Sequence, residues 1–162
     1  MLKSRLHLAQ FNIGRMTYDL DDPRAADFVA GIDMLNRIAE RSDGFVWKYE
    51  TDVGGVVQED VDNDPRMLVN LTVWESIEAL RQYVWKTLHK HFLSRKREWF
   101  TPLGRAHFVM WWVQKGQIPT LKQAMDRLDH LRQNGDSEYA FGWSHLNGGS
   151  FMPERDARTV LG

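Results

Sequence analysis

The stretch from Met67 to Trp74 (MLVNLTVW) constrains the fold more than any other. Read with period two, it sets Val69, Leu71 and Val73 on one face and Leu68, Asn70, Thr72 and Trp74 on the other. Both sets are largely apolar, so a strand built from them needs cover on both sides of its sheet. Arg105 to Gln114 (RAHFVMWWVQ) makes the same demand, being nearly all apolar in its centre. Three weaker segments complete the strand list. Leu6 to Ile13 (LHLAQFNI) reads as a short strand ended by Gly14, and Tyr139 to Trp143 as a short added one. Phe45 to Glu50 (FVWKYE) alternates, with Phe45, Trp47 and Tyr49 on one face and Val46, Lys48 and Glu50 on the other.

Helical signals fall between these strands. Asp21-Asp22-Pro23 offers an acidic cap followed by proline, whose missing N–H costs nothing at the first helical position. Phe28, Ile32, Leu35 and Ile38 then keep helical spacing as far as about Arg41, and Ser42-Asp43-Gly44 stops the run. A long helix is expected from Ile77 to Phe100, closed by Thr101-Pro102-Leu103-Gly104. A third opens at Thr120, which has capping-box spacing to Gln123, and ends near Asn134-Gly135. Asp52 to Arg66 is acidic, carries Gly54-Gly55 and ends in Asp64-Pro65-Arg66, so it reads as a long connection between two strands.

The order is βαββαβ followed by an αβ extension. That predicts an α+β chain with a ferredoxin-like antiparallel sheet, helices on one face and an added C-terminal helix. The opposite face then needs cover, which a second copy would supply, so a face-to-face homodimer is expected. One domain spans residues 1–146, and 147–162 reads as a tail with little to bury.

Composition removes several functions. Twenty-one basic side chains against 22 acidic ones leave no basic excess for a general nucleic-acid binder. The absence of cysteine removes disulfides, thiolate metal sites and a cysteine nucleophile. The N-terminal MLKSRLHLAQFNIGRM holds no long apolar run, so neither a membrane span nor a signal peptide is expected, and a cytoplasmic location is the default. No P-loop, dinucleotide fingerprint, paired-carboxylate spacing or Ser-His-Asp order is present.

The segments LAQFNIGRMTYDLDDPRAADFVAGID, SDGFVWKYET, LVNLTVWES, LHKHFLSRKREWF and MWWVQKGQIPTLKQAMDRLDHLRQNG, in that order over residues 6–143, resemble the family called domain of unknown function 3291. That family resembles a branch of the dimeric α/β-barrel superfamily. The resemblance implies a fold shared by cofactor-free monooxygenases, haem proteins and simple binding modules, without choosing among them.

Candidate residues follow from where polarity interrupts apolar surface. On a helical wheel of about 100° per residue, Ile77, Val84, Trp85, Leu88, Phe92 and Trp99 share a stripe, while Lys86, Lys90 and Arg97 oppose it. Arg95 falls inside the stripe, where a guanidinium needs a carboxylate or an anionic ligand. His89 borders it and matches a histidine of the family motif, whereas His91 sits about 200° away, so the two cannot chelate one metal together. Asn70 interrupts a covered strand face, and a buried amide must find partners.

These positions give a small-molecule site with His89 as base, Arg95 and Asn70 stabilising an anion, and Asn12, Trp47, Trp74, Trp85 and Trp99 around the substrate. No cofactor or metal is expected for it. The alternatives are haem, with His89 or His107 as axial ligand and Arg95 on a propionate, and a non-catalytic dimeric binding module.

Overall fold

The computed structural model describes residues 5–50, 61–88 and 95–147. Five strands form one antiparallel sheet: β1 (Leu6–Met16), β2 (Phe45–Lys48), β3 (Met67–Trp74), β4 (Phe100–Thr101) and β5 (Phe108–Gln114). β1 lies at the centre, bonded on one side to β3, which carries β2 at its outer edge. On the other side of β1, β5 pairs with Leu6 to Asn12 and β4 with Arg15 and Met16. The long strands thus run β5-β1-β3-β2, the ferredoxin-like order of a split βαβ sheet.

The helices are α1 (Ala26–Arg41), α2 (Ile77–Leu88), the single turn α3 (Lys96–Trp99), α4 (Leu121–Asn134) and α5 (Trp143–Asn147). A 3-10 turn over Pro23–Ala25 precedes α1, and the Asp22 carboxylate accepts the Arg24 N–H at 2.8 Å. At α4 the capping box forms in full. Thr120 Oγ1 accepts from the Gln123 N–H, and Gln123 Oε1 accepts from the Thr120 N–H. Two glycines are required by geometry. Gly44 has φ +83°, and a Cβ there would lie 2.5 Å from the Ala79 Cβ of α2. A Cβ on Gly14 would lie 2.7 Å from the Phe100 ring, and β1 runs on through this glycine to Met16 because it stays paired with β3 and β4 there.

The two sheet faces have different covers. Ala9, Phe11, Ile13, Val69, Leu71, Val73, Val109 and Trp111 form one face, fully buried under Ala124 and Leu128 of α4. Leu8, Trp74 and Met110 belong to the other face, beneath Ala39 of α1 and Leu80 and Val84 of α2. Further along that second face, Met16, Leu68 and Trp99 pack with Phe28 of α1. Helices therefore lie on both faces rather than one. The face expected to need a second copy is covered within one chain by α4.

Several local expectations are corrected. Of the helix expected from Ile77 to Phe100, the described parts are α2 (Ile77–Leu88) and α3 (Lys96–Trp99), and residues 89–94 lie outside the described residues. Phe100 and Thr101 form β4 instead of a helix end, because pairing with Met16 and Arg15 seats the Phe100 ring edge-on against Phe28. In β2 a bulge between Phe45 and Trp47 breaks the alternation, so Phe45 stands opposite Trp74 while Trp47 stands opposite Val73. Phe45 joins the α1/α2 side, and Trp47 and Tyr49 the α4 side. The segment Tyr139–Trp143 adds one bridge, Phe141 to Met110, rather than a strand. The tail from residue 148 and residues 52–60 of the acidic connection lie outside the described residues.

Candidate functional site

The α1/α2 face of the sheet carries a polar band between its two apolar clusters. Along β1 the residues on this face are Leu8, Gln10, Asn12, Gly14 and Met16, and opposite them on β3 stand Trp74, Thr72, Asn70 and Leu68. The ends of both rows are apolar and the middles are amide or hydroxyl. Gln10 and Thr72 are only 3% and 4% exposed, so their polar atoms have to be satisfied internally.

They are satisfied by each other. Asn12 Nδ2 donates to Gln10 Oε1 at 2.9 Å, and Gln10 Nε2 donates to Thr72 Oγ1 at 2.7 Å. The Trp74 indole N–H donates to the same Thr72 oxygen at 2.8 Å. This chain fixes the rotamers of four side chains across two strands, the rigidity a ligand site requires. Trp74 is further held by Phe45, edge-on at 5.5 Å, and by the Tyr83 ring at 5.0 Å. Burial pushes the Tyr83 phenol well above its ordinary range, so it stays protonated.

Asn70 differs from its neighbours. It stands directly opposite Asn12, and its Oδ1 is buried with no hydrogen-bond partner. Turning the carboxamide over would place its NH2 at the same point, so the position presents either an acceptor or a donor. Among the described amides of this face, Gln10 and Asn12 are bonded to one another, and the Asn70 carboxamide is the one placed to answer a ligand.

The expected site residues divide accordingly. Asn12, Asn70 and Trp74 come together on the α1/α2 face. Trp47 packs on the opposite face, and Trp85 is 44% exposed on α2. Trp99 is fully buried against Phe28 at 5.3 Å, in the apolar cluster at the Met16 end. Arg95 is not a charge inside an apolar stripe. Its side chain is 43% exposed, and it donates to both Glu98 oxygens and to Asp27 Oδ2 of α1 at 2.8–3.1 Å. Its guanidinium also lies 4.9 Å from the centre of the Trp99 ring. The hydrogen bond from Arg95 holds the Glu98 carboxyl below its usual range, as expected of a surface clamp joining α3 to α1. His89 lies outside the described residues.

Sequence reasoning missed Gln10 and Thr72. The signal was present as two period-two pairs, Gln-x-Asn in β1 and Asn-x-Thr in β3, but only register shows that they face one another. Of the residues expected to hold a haem, His107 and Arg95 are described and lie on different sides of the sheet. His107 stands in register with Ile13 on the α4 face, with Nδ1 3.3 Å from the Arg105 carbonyl oxygen, whereas Arg95 lies on the α1 side and is committed to two carboxylates. Among the described residues no three His, Asp or Glu side chains converge on a possible metal position.

A separate cavity of about 320 Å³ lies where β5 ends and α4 begins, lined by Trp111, Trp112, Ile118, Pro119 and Arg127 among others. Arg127 is its only ionisable lining group, and that guanidinium donates to the Tyr139 carbonyl oxygen at 2.8 Å and stacks on the Tyr139 ring. Gln114, Gln117 and Gln123 add three amides to its lining.

Fold and site together define a ferredoxin-like α+β domain with a hydrogen-bonded amide band on its helix-covered face. The chain belongs to the family described as Domain of unknown function (DUF3291), which matches residues 7–156. None of the curated proteins matches it. Among solved structures, a conserved protein from Methanosarcina mazei Go1 shares 16% identity, covering 70% of this chain and 97% of that one, with a TM-score of 0.47. SnoaB, a cofactor-independent oxygenase from Streptomyces nogalater, shares 16% identity over 71% of this chain and 96% of its own, with a TM-score of 0.44. The NE2512 protein from Nitrosomonas europaea shares 9% identity over 72% and 98%, with a TM-score of 0.44. The fold class stands on the strand order described above. No helix among the described residues is long and apolar enough to cross a membrane.

Proposed function

We propose that the α1/α2 face of the sheet binds a small electron-rich organic molecule at Asn12, Asn70 and Trp74, and that the chain acts on it as a cofactor-independent monooxygenase. The observation that carries the binding reading is Asn70, whose carboxamide stands beside a fixed amide chain with one buried end uncommitted. The oxygenase reading adds one of the activities found on the fold that the family resemblance implies. An activated ring CH2 loses a proton, the resulting carbanion reduces O2, and the CH2 becomes C=O while the second oxygen leaves as water. The protein's part in such a reaction is to orient the molecule, exclude water and hydrogen-bond the oxygen on which negative charge develops. The Asn70 NH2 is suited to the last task and the Trp74 ring to the first.

An oxygen electrode with an anthrone as probe tests this. The protein is expected to accelerate oxygen uptake and anthraquinone formation above the spontaneous rate. Asn70→Ala is expected to lose about a hundredfold or more of that acceleration, the scale of one oxyanion donor. No acceleration by the native chain, together with no quenching of tryptophan fluorescence by the probe, would sink the reading.

A further inference from the structure

The bulge in β2 has a consequence for Lys48. Without it, Phe45 opposite Trp74 would set Lys48 opposite Leu71, on the apolar face beneath α4. With it, Lys48 stands opposite Thr72, on the face that carries Gln10, Asn12 and Asn70. Bulges beside functional sites re-aim side chains in this way. Thr72 accepts from Gln10 and Trp74, so Lys48 is the edge-strand neighbour of the amide band itself. Asn70 is its diagonal neighbour across β3, a separation of about 7–8 Å between backbones that a long side chain spans.

The charge surrounding Lys48 is unusual for a lysine. It is half-buried, and among the described residues it has neither an ion pair nor a hydrogen bond. Desolvation lowers its pKa, while Glu40 of α1 and Glu50 beyond the strand end oppose that shift from a distance. From β3 and β1 it meets the neutral Thr72 and Gln10, and the α2 group on this face, Tyr83, is held neutral by burial. A half-buried ammonium with no partner among the described residues is costly, and an anion arriving beside it recovers that cost.

We infer that Lys48 is the cationic contact of the amide site and selects molecules that present a phenolate or enolate oxygen next to Asn70. The inference rests on the ligand site proposed above and names the class of molecule that the site prefers. It also assigns to Lys48 the anion-stabilising part expected of Arg95, whose charge is spent on Asp27 and Glu98.

Titration of the full chain with 4-nitrophenol tests it, because the phenol and its anion absorb at different wavelengths. The native protein is expected to bind the probe and raise the ratio of phenolate to phenol by about tenfold or more at fixed pH, the effect of one nearby opposite charge. Lys48→Met is expected to lose that rise, whether or not it still binds, and Lys48→Arg to recover most of it. Circular dichroism and thermal unfolding report whether both variants fold. If Lys48→Met binds and ionises the probe as the native chain does, or if the native chain binds it without favouring the anion, Lys48 is not the contact. If the native chain binds no probe at all, the underlying site is wrong, and Asn70→Ala will then be silent as well.

Discussion

The two faces of the sheet are built from the same strands yet solve different problems. Under α4, the inward strand positions of β1, β3 and β5 from Ala9 to Trp111 are aliphatic or aromatic, with the His107 imidazole beside Ile13 at the end of the layer. Under α1 and α2, two apolar clusters flank a row of amides and a hydroxyl, held by three hydrogen bonds of 2.7–2.9 Å. Replacing apolar groups by buried amides gains little stability even when each is paired, because folding exchanges bonds to water for bonds within the protein. The α4 face is thus arranged for stability, and the α1/α2 face gives some of it up to hold polar groups in fixed positions.

That contrast can be broken most directly from the α4 side. Phe11→Ala removes a fully buried ring from the centre of the apolar layer and is expected to cost about 4 kcal/mol, read from urea unfolding. A loss below about 1 kcal/mol would mean that this layer does not anchor the fold. Thr120→Ala strips the cap from the helix that covers the same layer, and about 1 kcal/mol should disappear from the same measurement. On the other face the sign changes. Asn70→Leu replaces an uncommitted buried amide by a side chain of similar size, so stability should hold or rise by up to about 1 kcal/mol while probe binding is lost. A large destabilisation would instead make Asn70 a structural residue.

The smallest effect expected is at the surface, away from both faces. The Asp22 carboxyl is lowered from 3.8 to about 2, first by the side-chain hydrogen bond from Arg24 and then by its backbone N–H. A depressed folded-state pKa contributes stability above about pH 4, and that contribution fades as pH falls through about 2. Asp22→Asn should therefore unfold with a slightly flatter acid dependence between about pH 5 and pH 2, while the stability of the apolar layers stays unchanged.

Much of the fold was legible because its signals are local. Asp22 ahead of Pro23, Thr120 with Gln123, and the alternation in MLVNLTVW each depend on neighbours a few residues apart. Asn70 and Asn12 were legible for the same reason as polar breaks in apolar strands, and the register sets them opposite one another. Arg95 misled because a helical wheel cannot show distant partners, and its guanidinium is taken by Glu98 and by Asp27 of α1.

By itself, the sequence determined the βαββαβ order, the helix caps and the family, since each is written in spacing along the chain. Only the tertiary structure decided which face each residue meets. One extra residue in β2 moves Lys48 from the apolar layer to the amide band, and α4 returns from the end of the chain to cover the face that a second copy was expected to fill. Strand periodicity cannot carry such information through a bulge, because a slip of one residue exchanges the two faces of a sheet.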